Sequence, residues 1–357
     1  MNLDKSFWKN KKVLLTGHTG FKGGWLSVLL THLNAKVFGY SLEAEEQSFF
    51  NETNLKSFIN HYEGDIRNLD ELMEYERAMK PEILIHMAAQ PLVIKSYKDP
   101  IETFSTNVMG TVNILEAIRR SSSIKSGVII TTDKCYENTN IKRGYRENDP
   151  MGGHDPYSSS KGCAELVIAS YQKSFFSIEF YKQKGIAIGS VRAGNVIGGG
   201  DWSENRLIPD LIRAAISSKI VQVRNPTAIR PWQHVLEPLS GYLLVAQKLF
   251  EEGPSGSDNW NFGPTRQDIK PVSLVADLFC KAWGEGLSWK QEKSFSLHEA
   301  EILSLNITKA RKTLEWAPKW KLNYAIDKVV DWHRKEIKNK DMIGVTLNQI
   351  KEYFDDN

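Results

Sequence analysis

The stretch "TGHTGFKGG", Thr16 to Gly24, constrains this chain more than any other. It follows the apolar run "KKVLL" and leads into "WLSVLLTHLN", where Trp25, Leu26, Leu29, Leu30 and Leu33 recur at helical spacing. The local order is therefore strand, glycine turn, helix. Gly17, Gly20 and Gly23 form G-x-x-G-x-x-G. Glycine permits a tight turn and a close backbone approach, and a helix N-terminus offers unpaired N–H groups to a pyrophosphate. Glycines also serve plain turns, so the pattern alone is weak. Placed between a strand and a helix, it predicts dinucleotide binding.

The rest of the first half repeats the alternation. "AKVFGYS", "HYEGDI", "PEILIHMAA", "GVIITTDK" and "GIAIGSVRAGNV" are strand-like, and "LDELMEYERAMK", "TNVMGTVNILEAIRR" and "YSSSKGCAELVIASYQK" are helix-like. Strands alternating with helices mean βαβ units and a mostly parallel sheet. The predicted class is α/β, a Rossmann-type doubly wound parallel sheet with a smaller C-terminal α/β substrate domain. After about Gly198 the texture loosens into Gly-, Pro-, Trp- and Arg-rich loops. We place the dinucleotide-binding domain at 1–190, with a return segment near 232–252, and the substrate domain at 191–357.

A dinucleotide site of this kind usually carries an acid about twenty residues on, bonding the ribose 2′-hydroxyl. Here Ser41 stands at that strand end and Glu43 follows two residues later. No Lys or Arg occurs from Ser41 to Asn51, while Glu43, Glu45 and Glu46 do. A 2′-phosphate would be repelled, so NAD is expected over NADP. Asp65 is placed for the adenine amino group, or is a turn carboxylate.

Tyr157 and Lys161 lie four apart, on one helix face. A nearby ammonium lowers a phenol's pKa, and such a tyrosine can accept a hydroxyl proton while hydride leaves the same carbon. The spacing also fits an ordinary exposed helix pair. Coming after a glycine cradle and a strand ending in Thr131 and Thr132, it predicts a catalytic pair. "TTDKCYEN", Thr131 to Asn138, sets Asp133 beside Lys134 at that strand end, either as a solvated charge pair or as two proton-transfer groups.

"TGHTGFKGGW", "HMAAQP", "YSSSKGCAE" and "RAGNVIGGGDW" together resemble the extended short-chain dehydrogenase/reductase family over most of the chain. With "TTDKCYEN" and "RPWQHVLEPL" the likeness narrows to its nucleotide-sugar 4,6-dehydratases, in particular the group acting on CDP-glucose. The resemblance implies tightly held NAD, a nucleotide-sugar substrate (CDP-glucose or a relative) and a homodimer. It implies oxidation at sugar carbon 4, loss of water across carbons 5 and 6, and hydride return to carbon 6. In that scheme Tyr157 takes the 4-hydroxyl proton, Thr132 assists at the 4-oxygen, and Asp133 is the acid toward the 6-hydroxyl. Related enzymes often carry Glu after this Asp; here Lys134 stands instead, as carbon-5 base or as stabiliser of the enolate.

The expected cofactor residues are Gly17, His18, Thr19, Gly20, Phe21, Lys22, Gly23, Asp65, Ile66, Ala88, Ala89, Gln90, Asn107, Thr131, Tyr157 and Lys161. His18 and Lys22 are expected to tune NAD affinity, and Asn107 resembles the family's structural asparagine. The expected substrate residues are Gln90, Thr132, Asn195 for the sugar pyrophosphate, and Arg206, Arg230, Gln233 and His234 in loops suited to an anionic nucleotide. His86 reads as a packed strand residue. Two other functions fit part of the pattern: a nucleotide-sugar 4-epimerase or a dehydratase of another nucleotide sugar, and a catalytically silent Rossmann binding protein.

Composition removes several classes. The 357 residues are 41% hydrophobic and 25% charged, enough for a large globular core. A net charge of +3 is too small to argue for nucleic acid or an anionic membrane. Cys135, Cys163 and Cys280 lack metal-type spacing and suggest a reducing compartment without disulfides. No metal site is expected. "MNLDKSFWKNKKVLL" has no run long enough for a signal peptide or membrane span, so a cytoplasmic enzyme is expected, feeding deoxysugars to surface polysaccharide such as lipopolysaccharide O-antigen.

Overall fold

Apolar runs that are buried on both faces belong inside a parallel sheet, covered by helices on either side. In the computed structural model, which describes residues 3–292 and 301–355, that is where they lie. The strands, in chain order, are β1 (Lys12–Thr16), β2 (Lys36–Ser41), β3 (Asn60–Glu63), β4 (Ile83–His86), β5 (Ser126–Ile130) and β6 (Ala187–Ala193). There follow β7 (Asn195–Ile197), β8 (Val221–Val223), β9 (Ile229–His234), β10 (Asn259–Phe262), β11 (Ile269–Pro271) and β12 (Trp289–Gln291).

Seven of them form one parallel sheet in the order β10-β6-β5-β4-β1-β2-β3. The chain runs outward from β1 to β3, then crosses back to β4. The direction of winding therefore reverses between β1 and β4, and a crevice opens there above the C-terminal strand ends. One sheet face is covered by the helices Phe21–His32, Leu236–Glu252 and Met342–Asp355, whose side chains share a core with Val13, Leu15, Ile83 and Val128. The other carries Leu69–Met79, Gly110–Arg120 and Pro156–Ser174 over Leu14, Leu84, Ile129 and Ile188.

The second unit is smaller. β9 pairs with β7 in parallel and with β11 antiparallel, and β8 pairs with β12. Helices Leu207–Ile216, Val272–Trp283 and Leu322–Ile337 close over these strands around Trp232, Phe279 and Trp283. The division between units is less simple than a single cut. β6 runs on to Ala193, and the returning chain supplies both helix Leu236–Glu252 and strand β10 to the large sheet. The C-terminal helix Met342–Asp355 also comes back to pack on Phe21–His32. Glu237 ties these returns together: its carboxylate accepts from the N–H groups of Lys319 and Trp320 and from the Tyr353 hydroxyl at 2.6 Å. No described helix is long and apolar enough to cross a membrane.

Candidate active site

At the crevice the turn after β1 meets the turn after β4. Gly17 has φ +75°, and a Cβ there would come 2.6 Å from the Ala88 nitrogen. A Cβ on Gly23 would come 2.1 Å from the Gly17 carbonyl oxygen. Only glycine permits both the left-handed turn and the close seating of the helix. Gly20 differs: its Cβ would meet nothing nearer than 3.5 Å. It opens the helix Phe21–His32 as a cap with no side-chain hydrogen bond, so no capping side chain covers the first N–H groups of that helix. This open cradle fits the pyrophosphate of a dinucleotide.

Other expected cofactor residues surround the same strand ends. The Thr16 hydroxyl contacts His86 Nδ1 at 2.8 Å and accepts from the Ala88 N–H at 3.3 Å, which shapes the turn carrying Ala88 and Ala89. Thr19 binds the Ser41 hydroxyl at 2.7 Å, so Ser41, not a carboxylate, ends β2. Asp65 is held in an ion pair with Arg67 at 2.5 Å, and Ile66 is buried against Gly110. His18 turns under the sheet edge to His61 Nδ1 at 2.7 Å, and burial, with His61, lowers its pKa to about 3.

A cleft of about 500 Å³ adjoins this edge and runs between the two units. Thr131, Thr132, Asp133, Lys134 and Tyr157 line it from the sheet side, and Asn195, Arg206 and Arg230 from the smaller unit. Asp155 caps the helix Pro156–Ser174 by accepting from the Ser158 N–H, which sets Tyr157 in the first turn. The Thr132 hydroxyl lies at hydrogen-bond distance from Asp133 Oδ1, 3.1 Å, and also meets the Tyr157 hydroxyl. Lys161 points beneath Tyr157, with Nζ 3.4 Å from the Ile130 carbonyl.

The electrostatics are dominated by burial. Asp133 is buried with Oδ2 unpartnered, and loss of solvation raises its pKa against the pull of Lys134, Thr132 and Arg230. Burial lowers Lys161 to about 8 and pushes Tyr157 up to about 12, the Thr132 hydrogen bond and Arg206 acting against the latter. The expected depression of the phenol by Lys161 is thus outweighed in the protein alone: desolvating a phenolate costs more than the neighbouring positive groups return.

Several expected residues lie elsewhere. Gln233 and His234 belong to strand β9, not a loop, and neither lines the cleft. Gln233 donates to the Phe262 carbonyl at 3.1 Å, and His234 sits between Trp25 and Trp320, where burial lowers its pKa to about 3. Both are core groups, which corrects their assignment to the nucleotide. Arg230 is also on β9, yet its side chain does line the cleft. Gln90 spends its amide on Leu92 and Thr103 and does not line the cleft, so it shapes its own turn instead of facing the substrate. Asn107 bridges that turn to the catalytic helix, donating to the Gln90 carbonyl at 3.0 Å and the Ser160 hydroxyl at 2.9 Å.

Three supporting residues escaped the sequence reading. Thr131 turns its hydroxyl inward to Glu165, which is ion-paired with Arg192. Glu165 continues the four-residue spacing of Tyr157 and Lys161, a signal that was present. Asp201 holds Arg206 at 3.2 Å, and only the fold brings that pair to the cleft wall. Among the described residues no cluster of His, Cys, Asp and Glu could hold a metal ion.

The sequence profile of the NAD dependent epimerase/dehydratase family matches residues 13–263. A CDP-glucose 4,6-dehydratase of Salmonella typhimurium is 50% identical over 353 residues, 99% of this chain and 98% of that protein. Among solved structures, a dTDP-glucose 4,6-dehydratase of Bacillus anthracis in complex with NAD superposes with a TM-score of 0.74 at 21% identity, covering 93% of this chain and 99% of that one. A UDP-glucose 4-epimerase of Thermotoga maritima with UDP-glucose gives 0.77 at 20% identity over 91% and 99%. The chain belongs to the NAD dependent epimerase/dehydratase family.

Proposed function

We propose that this family member dehydrates CDP-glucose to CDP-4-keto-6-deoxyglucose. The observation that carries the reading is Asp133, a buried carboxyl with one unpartnered oxygen, beside Thr132 in the cleft that Tyr157 also lines. NAD, when bound, supplies the hydride acceptor for carbon 4 and the donor for carbon 6. Tyr157 accepts the 4-hydroxyl proton once the positive nicotinamide ring of bound NAD offsets the cost of burying its phenolate, with Thr132 hydrogen-bonded beside it. The 4-ketone acidifies the proton on carbon 5, and an amine of the site removes it. Asp133, whose carboxyl is shifted toward its protonated form by burial, protonates the departing 6-hydroxyl. Lys134 is either that amine or the positive charge that steadies the enolate.

Asn195, Arg206 and Arg230 meet the sugar pyrophosphate, for which the arginine fork is suited. The glycine cradle, with Thr19, Phe21, Ala88 and Ala89, holds NAD. A 4-epimerase needs hydride transfer at carbon 4 alone and has no use for a buried acid at this strand end, so Asp133 favours dehydration. The 50% likeness to a CDP-glucose enzyme supports the cytidine nucleotide.

The reading extends to a homodimer. Helices Pro100–Phe104 and Pro156–Ser174 and the helical turn Ser105–Met109 pack together and leave Ile101 (82% exposed), Met109 (54%) and Leu166 (61%) uncovered, an apolar set that a second copy would bury. It also extends to a cytoplasmic enzyme supplying deoxysugars for surface polysaccharide.

The test is incubation with NAD and CDP-glucose, then base treatment. Enone absorbance appears if a 4-keto-6-deoxy sugar has formed, and its absence while CDP-glucose still binds overturns dehydration. A thermal-shift series of CDP-, UDP-, GDP- and dTDP-glucose gives the largest stabilisation with CDP-glucose, since a ligand stabilises the native state according to its affinity.

A further inference from the structure

Gly194 joins the two units: β6 ends at Ala193 and β7 begins at Asn195. Its backbone does not call for glycine, since its φ lies outside the left-handed region. The requirement is one of space. A Cβ at this position would come 2.5 Å from Pro231 Cγ and 3.0 Å from Asp133 Oδ2, with the Pro231 carbonyl oxygen at 3.3 Å. Gly194 is half-buried and lines the cleft with Thr132, Asp133 and Tyr157. The missing side chain therefore clears room against two different neighbours, a packing contact and the proposed acid.

The oxygen concerned is the one suited to proton transfer. Thr132 donates its hydroxyl to Asp133 Oδ1 at 3.1 Å, so Oδ1 already serves as an acceptor. Oδ2 is buried and has no hydrogen-bond partner among the described residues. In the protonated acid the O–H therefore belongs on Oδ2. A general acid hands over its proton at a heavy-atom separation of about 2.6–3.2 Å. The Cβ position at 194 falls inside that shell, 3.0 Å from Oδ2. Any side chain there takes up part of the space a reacting oxygen needs, or pushes the carboxyl out of place.

We infer that Gly194 is a positioning residue for the elimination step, its bare Cα keeping the free oxygen of Asp133 open to the 6-hydroxyl of the sugar. This rests on the dehydration reading above. In that step the carbon 4–5 enolate moves its electron pair into a carbon 5–6 double bond as the carbon 6–oxygen bond breaks. The proton on Oδ2 goes to the leaving oxygen, water departs, and Asp133 is left as a carboxylate. The proton it spends is matched by the one Tyr157 gained from the 4-hydroxyl. The three atoms nearest the Cβ position belong to Pro231 and Asp133, not to Tyr157 or Thr132, so oxidation at carbon 4 does not depend on this glycine.

The experiment uses the full chain saturated with NAD and compares wild type with Gly194→Ala, Pro231→Ala and the double variant. Each is mixed with CDP-glucose or with CDP-xylose, whose sugar is glucose without carbon 6. With CDP-glucose, Gly194→Ala should still build up reduced cofactor while 4-keto-6-deoxy product falls by about 10²–10⁴-fold. With CDP-xylose, which has no 6-hydroxyl to place, cofactor reduction should match wild type. Pro231→Ala removes the obstacle at 2.5 Å and leaves the contact with Asp133. The double variant should therefore stay as low in product as Gly194→Ala, and it carries the test where the single variant folds poorly. Product restored in the double variant would reduce the glycine to packing against Pro231 and overturn the inference. So would normal product from Gly194→Ala, or an equal loss of cofactor reduction with both sugars. If wild type forms neither reduced cofactor nor product from CDP-glucose, the dehydration reading itself has failed, a distinct outcome.

Discussion

Glu165 and Arg192 form a bidentate pair, Nη2 to Oε2 at 2.6 Å, with both side chains almost wholly buried beneath the strand end that carries Thr132 and Asp133. The pair also takes up the Thr131 hydroxyl, the Ser190 hydroxyl and, through Arg192, the hydroxyl of Tyr136. Every polar group there is answered, so removing one member leaves its partner a buried, unpaired charge. Glu165→Leu is therefore expected to cost about 3–5 kcal/mol of stability. Chemical denaturation of wild type and variant checks this, and a loss below about 1 kcal/mol would mean the pair does not brace the site.

Tyr157→Phe removes the hydroxyl that meets Thr132 but keeps the ring buried. Turnover of CDP-glucose should fall by about 10²–10⁴-fold while the melting temperature stays close to wild type. Steady-state rates and a thermal melt on the same preparation separate the two effects.

Lys161 makes a prediction about pH. Its folded pKa is about 8 against an ordinary 10.5, because burial disfavours the ammonium. The unfolded chain therefore binds more protons between those values, and stability rises with pH across that window. Below about 8 the penalty is fully present, of order 3 kcal/mol. Lys161→Met is expected to stabilise the cofactor-free protein at neutral pH while abolishing turnover, and the advantage should shrink as pH rises from 8 to 10. Urea midpoints of the two proteins at several pH values test it; an advantage that stays constant with pH would contradict the assignment.

The glycine turn allows folding and binding to be separated. Gly17→Ala combines φ +75° with a Cβ 2.6 Å from the Ala88 nitrogen, so the crevice must distort and stability drops by about 1–3 kcal/mol. Gly20→Ala has φ −78° and 3.5 Å of clearance, which leaves the fold within about 0.5 kcal/mol. Its methyl group would project into the pyrophosphate's space. NAD affinity, measured by calorimetry, should fall tenfold or more at a nearly unchanged melting temperature.

The sheet was legible because its strands are written as unbroken apolar runs between helical patterns, from "KVLL" through "GVII". The strand β9 was not: "IRPWQH" is polar and contains proline, so it reads as a loop, and Gln233 and His234 read as ligands. Their true partners, the Phe262 carbonyl and two tryptophan rings, come from distant parts of the chain. Strand β10 hid for a related reason, lying in "SDNWNF" behind a turn-rich segment. The positions of Tyr157, Lys161 and Asp133 could be read from spacing and strand ends. How deeply each is buried could not, and burial is what sets Tyr157 high and Lys161 low.

The seventh strand of the large sheet and the helix that packs on Phe21–His32 are both made late, at 259–262 and 342–355. During synthesis the first half of the protein would emerge with the β6 edge unzipped and one flank of its nucleotide cradle bare. Maturation must then wait until residues 342–355 have left the ribosome, and such long-distance closure is slow. The nascent chain is exposed to aggregation over that interval, which makes it a natural client for chaperones.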